Sequence, residues 1–220
     1  MTRQAAIGTG MLTLAGCDMA LAAVSILRYP AMLAQHGAWQ FVAELGGALA
    51  VYAIAAARLA TMRGERWQTI CLYGGLFGCL TGGIEVLNLA IENCFPAFAH
   101  QAPVSIGFML GVFSLWGIAG HYAGRASKSI QTGVWAAVLS AALCMLIAVT
   151  AGFLLEFYLA QPDTTVIATW PEFQRSGWTD VRAFGLANTL DSGFTHLMIA
   201  PVVACATGLA GSCIAWFRRG

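Results

Sequence analysis

Charge is what this chain has least of: Asp, Glu, Lys and Arg make up 10% of its 220 residues, where a soluble domain carries about a quarter. The formal net charge of +1 gives no field for a polyanion. No basic stretch with interleaved aromatics is present, so nucleic acid is excluded as a partner. There is no CxxC pair, HExxH helix, GxSxG elbow or glycine-rich phosphate loop, which removes the zinc-protease, serine-hydrolase and nucleotide-binding templates. Internal repeats and low-complexity segments are also missing. The seven cysteines are an odd count, and Cys17, Cys71, Cys79, Cys144, Cys205 and Cys213 fall in apolar segments, where the thiol acts as a small hydrophobe. Only Cys94 lies near a loop, so no disulfide framework is expected.

What fills the chain is hydrocarbon. Hydrophobic residues reach 59% and the mean hydropathy is +0.72. Runs long enough to cross a bilayer occur at 5–27, 38–60, 69–92, 104–123, 132–159 and 186–217, with one longer connection at 160–187. The expected fold is an all-α integral membrane protein, a six-helix transmembrane bundle forming one domain over 1–220. Arg3, an apolar run and Ala20-Leu21-Ala22 mimic a cleavable leader. Asp18 interrupts that run, however, and Leu21–Leu27 extends it to spanning length, so it is read as the first span.

Orientation follows from the positive charges. Arg3, Arg58, Arg63, Arg66, Arg125, Lys128, Arg218 and Arg219 fall on one side, against Arg28, Arg175 and Arg182 on the other. Both termini are expected in the cytoplasm, with the protein in a plasma membrane of the bacterial inner-membrane kind. The long loop is then external. In it, Pro171 starts a short interfacial helix, and Thr179, followed by Asp180, caps a helix that enters the last span. Trp170 and Trp178 suit the membrane–water interface. Because helix from Thr179 to Phe217 exceeds the bilayer, a break is expected near Gly185 or Gly193 and a kink at Pro201.

The informative polar residues lie inside the spans. Asn188, Thr189, Asp191, Ser192, Thr195 and His196 form one face of the sixth span, opposite Leu190, Phe194 and Leu197. That polar face is expected to point inward, near Glu85. Pro201 has no N–H for the carbonyl of Leu197, so a free acceptor opens beside His196. In the third span Gly74, Gly78 and Gly82 recur every four residues and continue as Thr81, Glu85, Asn88 and Glu92; such glycines admit a neighbouring backbone. Asp18 and Glu44 lie at the depth of Glu85 and His196, about two turns below the external surface.

The candidate ion- or substrate-binding set is therefore Asp18, Glu44, Glu85, Asn88, Asp191, Thr195 and His196. No Lys or Arg lies in the middle of a span, so four carboxylates and one imidazole cannot all be ionised; some are expected to be protonated, to hold a cation or to face water. His36 and His100 fall in loops and His121 at the cytoplasmic end, leaving His196 without a second histidine at its depth, and no resident metal is expected. No cofactor is indicated. Glu92, Glu156 and Asp163 read as rim charges. Intramembrane carboxylates without basic partners serve proton or cation binding most often, so the first expectation is a proton- or cation-coupled carrier of a small solute. The alternatives are a membrane enzyme using carboxylic acid and His chemistry on a lipid or isoprenoid, and a non-catalytic subunit. Expected partners are the lipid bilayer, a small polar solute, cation or lipid, and a second copy of the chain.

Overall fold

The computed structural model describes residues 2–94, 102–155 and 164–217. Among these, six helices are long and apolar enough to cross a membrane and there is no strand. They are α1 (Arg3–Arg28), α2 (Ala38–Thr61), α3 (Glu65–Cys94), α4 (Ala102–Ser127), α5 (Ile130–Leu154) and α8 (Val181–Phe217). Two short helices, α6 (Thr164–Ala168) and α7 (Pro171–Ser176), stand between the last two spans. Glu156, Asp163, His100, Arg218 and Arg219 lie outside the described residues.

Local chemistry explains the ends. Thr2 caps α1 by accepting from the Ala5 N–H, and Ser129 caps α5 by accepting from that of Thr132. Gly64, at φ +103°, makes the tight link from α2 to α3 that a residue with a Cβ resists. Pro171 opens α7, as anticipated. The cap of α8 is one residue later than expected: Asp180 Oδ1, not Thr179, accepts from the N–H groups of Arg182 and Ala183 at 2.9 and 3.0 Å. A carboxylate is the stronger partner for these orphan donors and for the helix dipole. Phe184 then seats the loop, with the rings of Phe173 and Trp178 edge-on at 5.3 and 5.8 Å.

The break expected in the last helix is absent. α8 is continuous over 37 residues, about 55 Å at 1.5 Å per residue, against a hydrocarbon core of about 30 Å. Gly185 is buried and Gly193 packs near Leu45 and Val149, so neighbours hold the helix through both positions, and the excess length stands beyond the hydrocarbon or is taken up as tilt.

α5 is the central helix. Its buried residues include the consecutive run Leu143, Cys144, Met145 and Leu146, so neighbours cover every face. The glycines of α3 lie directly on it: a Cβ on Gly74 would sit 2.9 Å from the Ala136 carbonyl oxygen, and one on Gly78 would sit 2.9 Å from Leu143 Cβ. The α1–α2 hairpin closes the same way, with a Cβ on Gly8 falling 2.7 Å from the Ala56 carbonyl oxygen. The close approach read from the spacing by four is thus present, and its partner is α5.

The half of the bundle nearer the chain termini, the terminal half, is clamped more tightly still. A Cβ on Gly120 of α4 would lie 2.8 Å from the Gly208 carbonyl oxygen of α8. Ser212 Oγ donates to the carbonyls of Gly120 and Gly208, and His121 Nδ1 donates to that of Gly211 at 3.2 Å. Tyr122 stacks on Tyr73 and Phe77 and closes the seam between α3 and α4.

Candidate functional site

In the opposite half, the cap half, α3, α4 and α8 spread over α5 and leave a cleft with two lobes. One, of about 170 Å³, is lined by Glu85 and Leu89 of α3, by Met145, Ala148, Val149, Gly152 and Phe153 of α5, and by Asn188, Thr189, Ser192, Gly193 and His196 of α8. The other, of about 320 Å³, runs between Glu85 and Asn88 and an apolar wall of Phe108, Met109, Phe113 and Trp116, with Thr195, His196 and Ile199 along α8. Glu85, Met145 and His196 belong to both. They form the waist.

The α3 side of the waist is an acid–amide ladder. Asn88 Nδ2 donates to Glu92 Oε1 at 3.2 Å, and Glu85, three residues before Asn88, lines both lobes together with His196. Positions 85, 88 and 92 repeat at helical spacing, so one face of α3 carries all three. On the α8 side, His196 Nδ1 lies 2.7 Å from the Ser192 carbonyl oxygen and 3.3 Å from Ser192 Oγ. A carbonyl can only accept, so Nδ1 carries the proton in that bond, and neutral His196 keeps its lone pair on Nε2. The free carbonyl expected from Pro201 exists and is taken: Tyr52 Oη on α2 donates to Leu197 O at 2.6 Å. That bond anchors the backbone beside His196.

The remaining candidates lie elsewhere. Asp18 is fully buried, at 0% exposure; its Oδ1 accepts from Thr150 Oγ1 of α5, and its Oδ2 has no hydrogen-bond partner. Glu44 accepts from Gln40 Nε2 at 2.9 Å on its own helix, and Asp191 is half-buried; none of the three lines the cleft. The structure thus brings together Glu85, Asn88, Thr195 and His196, and leaves Asp18, Glu44 and Asp191 apart.

The facing of α8 also differs from the inward polar face expected. Leu190 and Leu197 are the core residues, at 1% and 0% exposure, while Asn188, Ser192, Thr195 and His196 are exposed along the open cleft. Burying four polar side chains in a packed core costs more than leaving them where water or a ligand satisfies them. The apolar wall is what sequence reading missed. Trp116 is 1% exposed and Phe113 tilts against it at 5.3 Å; their spacing of three was the available signal. Among the described residues no group of three or more His, Cys, Asp or Glu is arranged to hold a metal.

The chain matches no family model, no curated protein and no solved structure. Its function is therefore argued from the cleft.

Proposed function

We propose that the protein binds an amphipathic molecule of lipid or isoprenoid type in this cleft and acts on it with Glu85 and His196 as an acid–base pair. One observation carries the reading: a single cleft joins a carboxylate, an imidazole, amides and hydroxyls to an aromatic wall. The exposed stripe of α8 supports lateral entry. Asn188, Ser192, Thr195, Ile199 and Val202 follow one another by steps of four and three, all exposed, so the polar section passes into the section that faces lipid. Nε2 of His196 is the basic atom and Glu85 the complementary acid, a pairing suited to moving a proton across a bound head group. No Lys or Arg lines either lobe, so the fitting head group is uncharged or cationic rather than a phosphate. With both termini in the cytoplasm, as the positive charges favour, the cleft serves the external leaflet of a plasma membrane.

A coupled carrier requires a path through the terminal half, which the Gly120–Gly208 contact and the Tyr122 stack close in this conformation. The exposed polar stripe gives a second reading some weight, that of a subunit docking a partner helix there.

The test uses the full chain in nanodiscs with a photoreactive long-chain polyprenol. Adducts should concentrate at 109–116 and 195–203 and fall about thirtyfold in a Glu85→Gln, His196→Ala double variant, from the loss of two polar contacts worth about 1 kcal/mol each. Labelling spread evenly over all lipid-facing helices would overturn the reading. Solute uptake driven by a pH gradient and lost in Glu85→Gln would establish the carrier instead, and a dimer broken by substitutions along the stripe would establish the subunit.

A further inference from the structure

A second cavity lies in the terminal half and owes nothing to the cleft. It is a groove of about 900 Å³ between α1 and α3, floored by Leu143 and Ile147 of α5. Its walls are Thr9, Gly10 and Thr13 on α1 and Leu72, Leu76 and Cys79 on α3, all exposed. Arg3 stands at its mouth.

From the geometry we infer that this groove holds one acyl chain of an anionic phospholipid, with the phosphate on Arg3. The first argument is length. Arg3 to Leu14 spans eleven helical rises, about 16 Å, and half of a hydrocarbon core of about 30 Å is about 15 Å. The groove therefore runs from one membrane surface to the midplane, the depth of a single leaflet.

The second argument is charge. Among the described residues no carboxylate pairs with the Arg3 guanidinium. It sits in the first turn of α1, where the helix dipole adds positive potential rather than offsetting it. An anionic phosphate complements both, and basic residues at the membrane surface attract anionic lipid.

The third argument is shape. α1 and α3 touch where Ile7 meets Gly75, but a Cβ on Gly10 would meet nothing within 4 Å. One position in the wall can thus be filled without a clash, which gives a test independent of folding.

The full chain is placed in nanodiscs of equal phosphatidylglycerol and phosphatidylcholine, and lipids that stay bound are weighed by native mass spectrometry. Wild type should retain phosphatidylglycerol over phosphatidylcholine, with about fivefold of that preference due to Arg3, the share expected of one interfacial basic residue. Arg3→Ala should lower the ratio about fivefold while total retained lipid stays, whereas Gly10→Trp should reduce both lipids. An unbiased ratio in wild type, or retention unchanged by Gly10→Trp, overturns the inference. So does a dimer that Gly10→Trp dissociates, since a second copy of the chain would then be the occupant.

Discussion

The hydrogen bond from Tyr52 to Leu197 tests whether the carbonyl left free by Pro201 is satisfied from α2 or within α8 itself. Tyr52→Phe removes the hydroxyl and leaves the ring in place. Tyr52 and Leu197 are both buried, so the Leu197 carbonyl becomes a buried acceptor without its donor, which costs about 1–3 kcal/mol. Interhelical bonds in membranes measure lower, about 0.6 on average and about 1.7 at most. Here α8 cannot compensate, because residue 201 has no N–H, so the upper part of that range applies, about 1–1.5 kcal/mol. Pro201→Ala supplies the missing donor. In that background the carbonyl has an intrahelical partner, and Tyr52→Phe should cost less than about 0.5 kcal/mol. The assay is equilibrium unfolding in mixed micelles of wild type, both single variants and the double. A coupling of about 1 kcal/mol is expected; additivity within about 0.3–0.5 kcal/mol would refute the claim that Tyr52 replaces the bond Pro201 removes.

Asp18→Asn keeps an acceptor for Thr150 and should unfold within about 0.5 kcal/mol of wild type, whereas Asp18→Ala leaves the Thr150 hydroxyl only the Leu146 carbonyl of its own helix and opens a void, a loss of about 1–3 kcal/mol in the same unfolding assay. Neither change should alter capture of a polyprenol, since Asp18 lies outside the cleft. On a cysteine-free background, Ser192→Cys should react with a membrane-impermeant maleimide added from outside cells, while Ser140→Cys, buried against the α3 glycines, should not. Labelling of Ser192→Cys only from the cytoplasmic side would reverse the orientation argued from the arginines.

How much was legible depends on which coordinate a residue type reports. Depth is a one-dimensional property, so the six spans could be read from run length, and their ends fell within about five residues where the described residues test them; the fifth span's expected end at 159 lies outside those residues. Azimuth is harder. A soluble helix shows its inside by where its apolar residues fall, but in a bilayer core and lipid are equally apolar, and the stripe containing His196 could be found without learning which way it faced. The same blindness set Asp18, Glu44 and Glu85 at one depth and could not tell that Asp18 turns toward Thr150 and Glu85 toward His196. Gly74, Gly78 and Gly82 escaped it, because a row of glycines specifies backbone contact whichever helix supplies it. Trp116 did not, since an aromatic in a span fits core, lipid and cleft alike.

Glycines also distinguish the clamped seam of α4, α5 and α8 from the open positions of the cap half. In the terminal half, Gly120, Gly208 and Gly211 meet neighbouring backbone or Cβ atoms so closely that an added Cβ cannot fit; one on Gly208 would lie 2.5 Å from Ala137 Cβ. In the cap half a Cβ on Gly83, Gly107, Gly111 or Gly152 would meet nothing within 4 Å, and Gly152 lines the smaller lobe of the cleft. Gly208→Ala must therefore push α8 off α5, an overpacking cost of about 1–3 kcal/mol. Gly152→Leu fills open space and removes a flexible residue from a helix interior, which is neutral or stabilising by up to about 1 kcal/mol. Its leucine would occupy the space beside Glu85 and His196, so photolabelling by the polyprenol should fall several-fold with the unfolding midpoint unchanged or raised. If Gly152→Leu destabilises the protein as Gly208→Ala does, the cap half is packed rather than open, and there is no cleft for a ligand to enter.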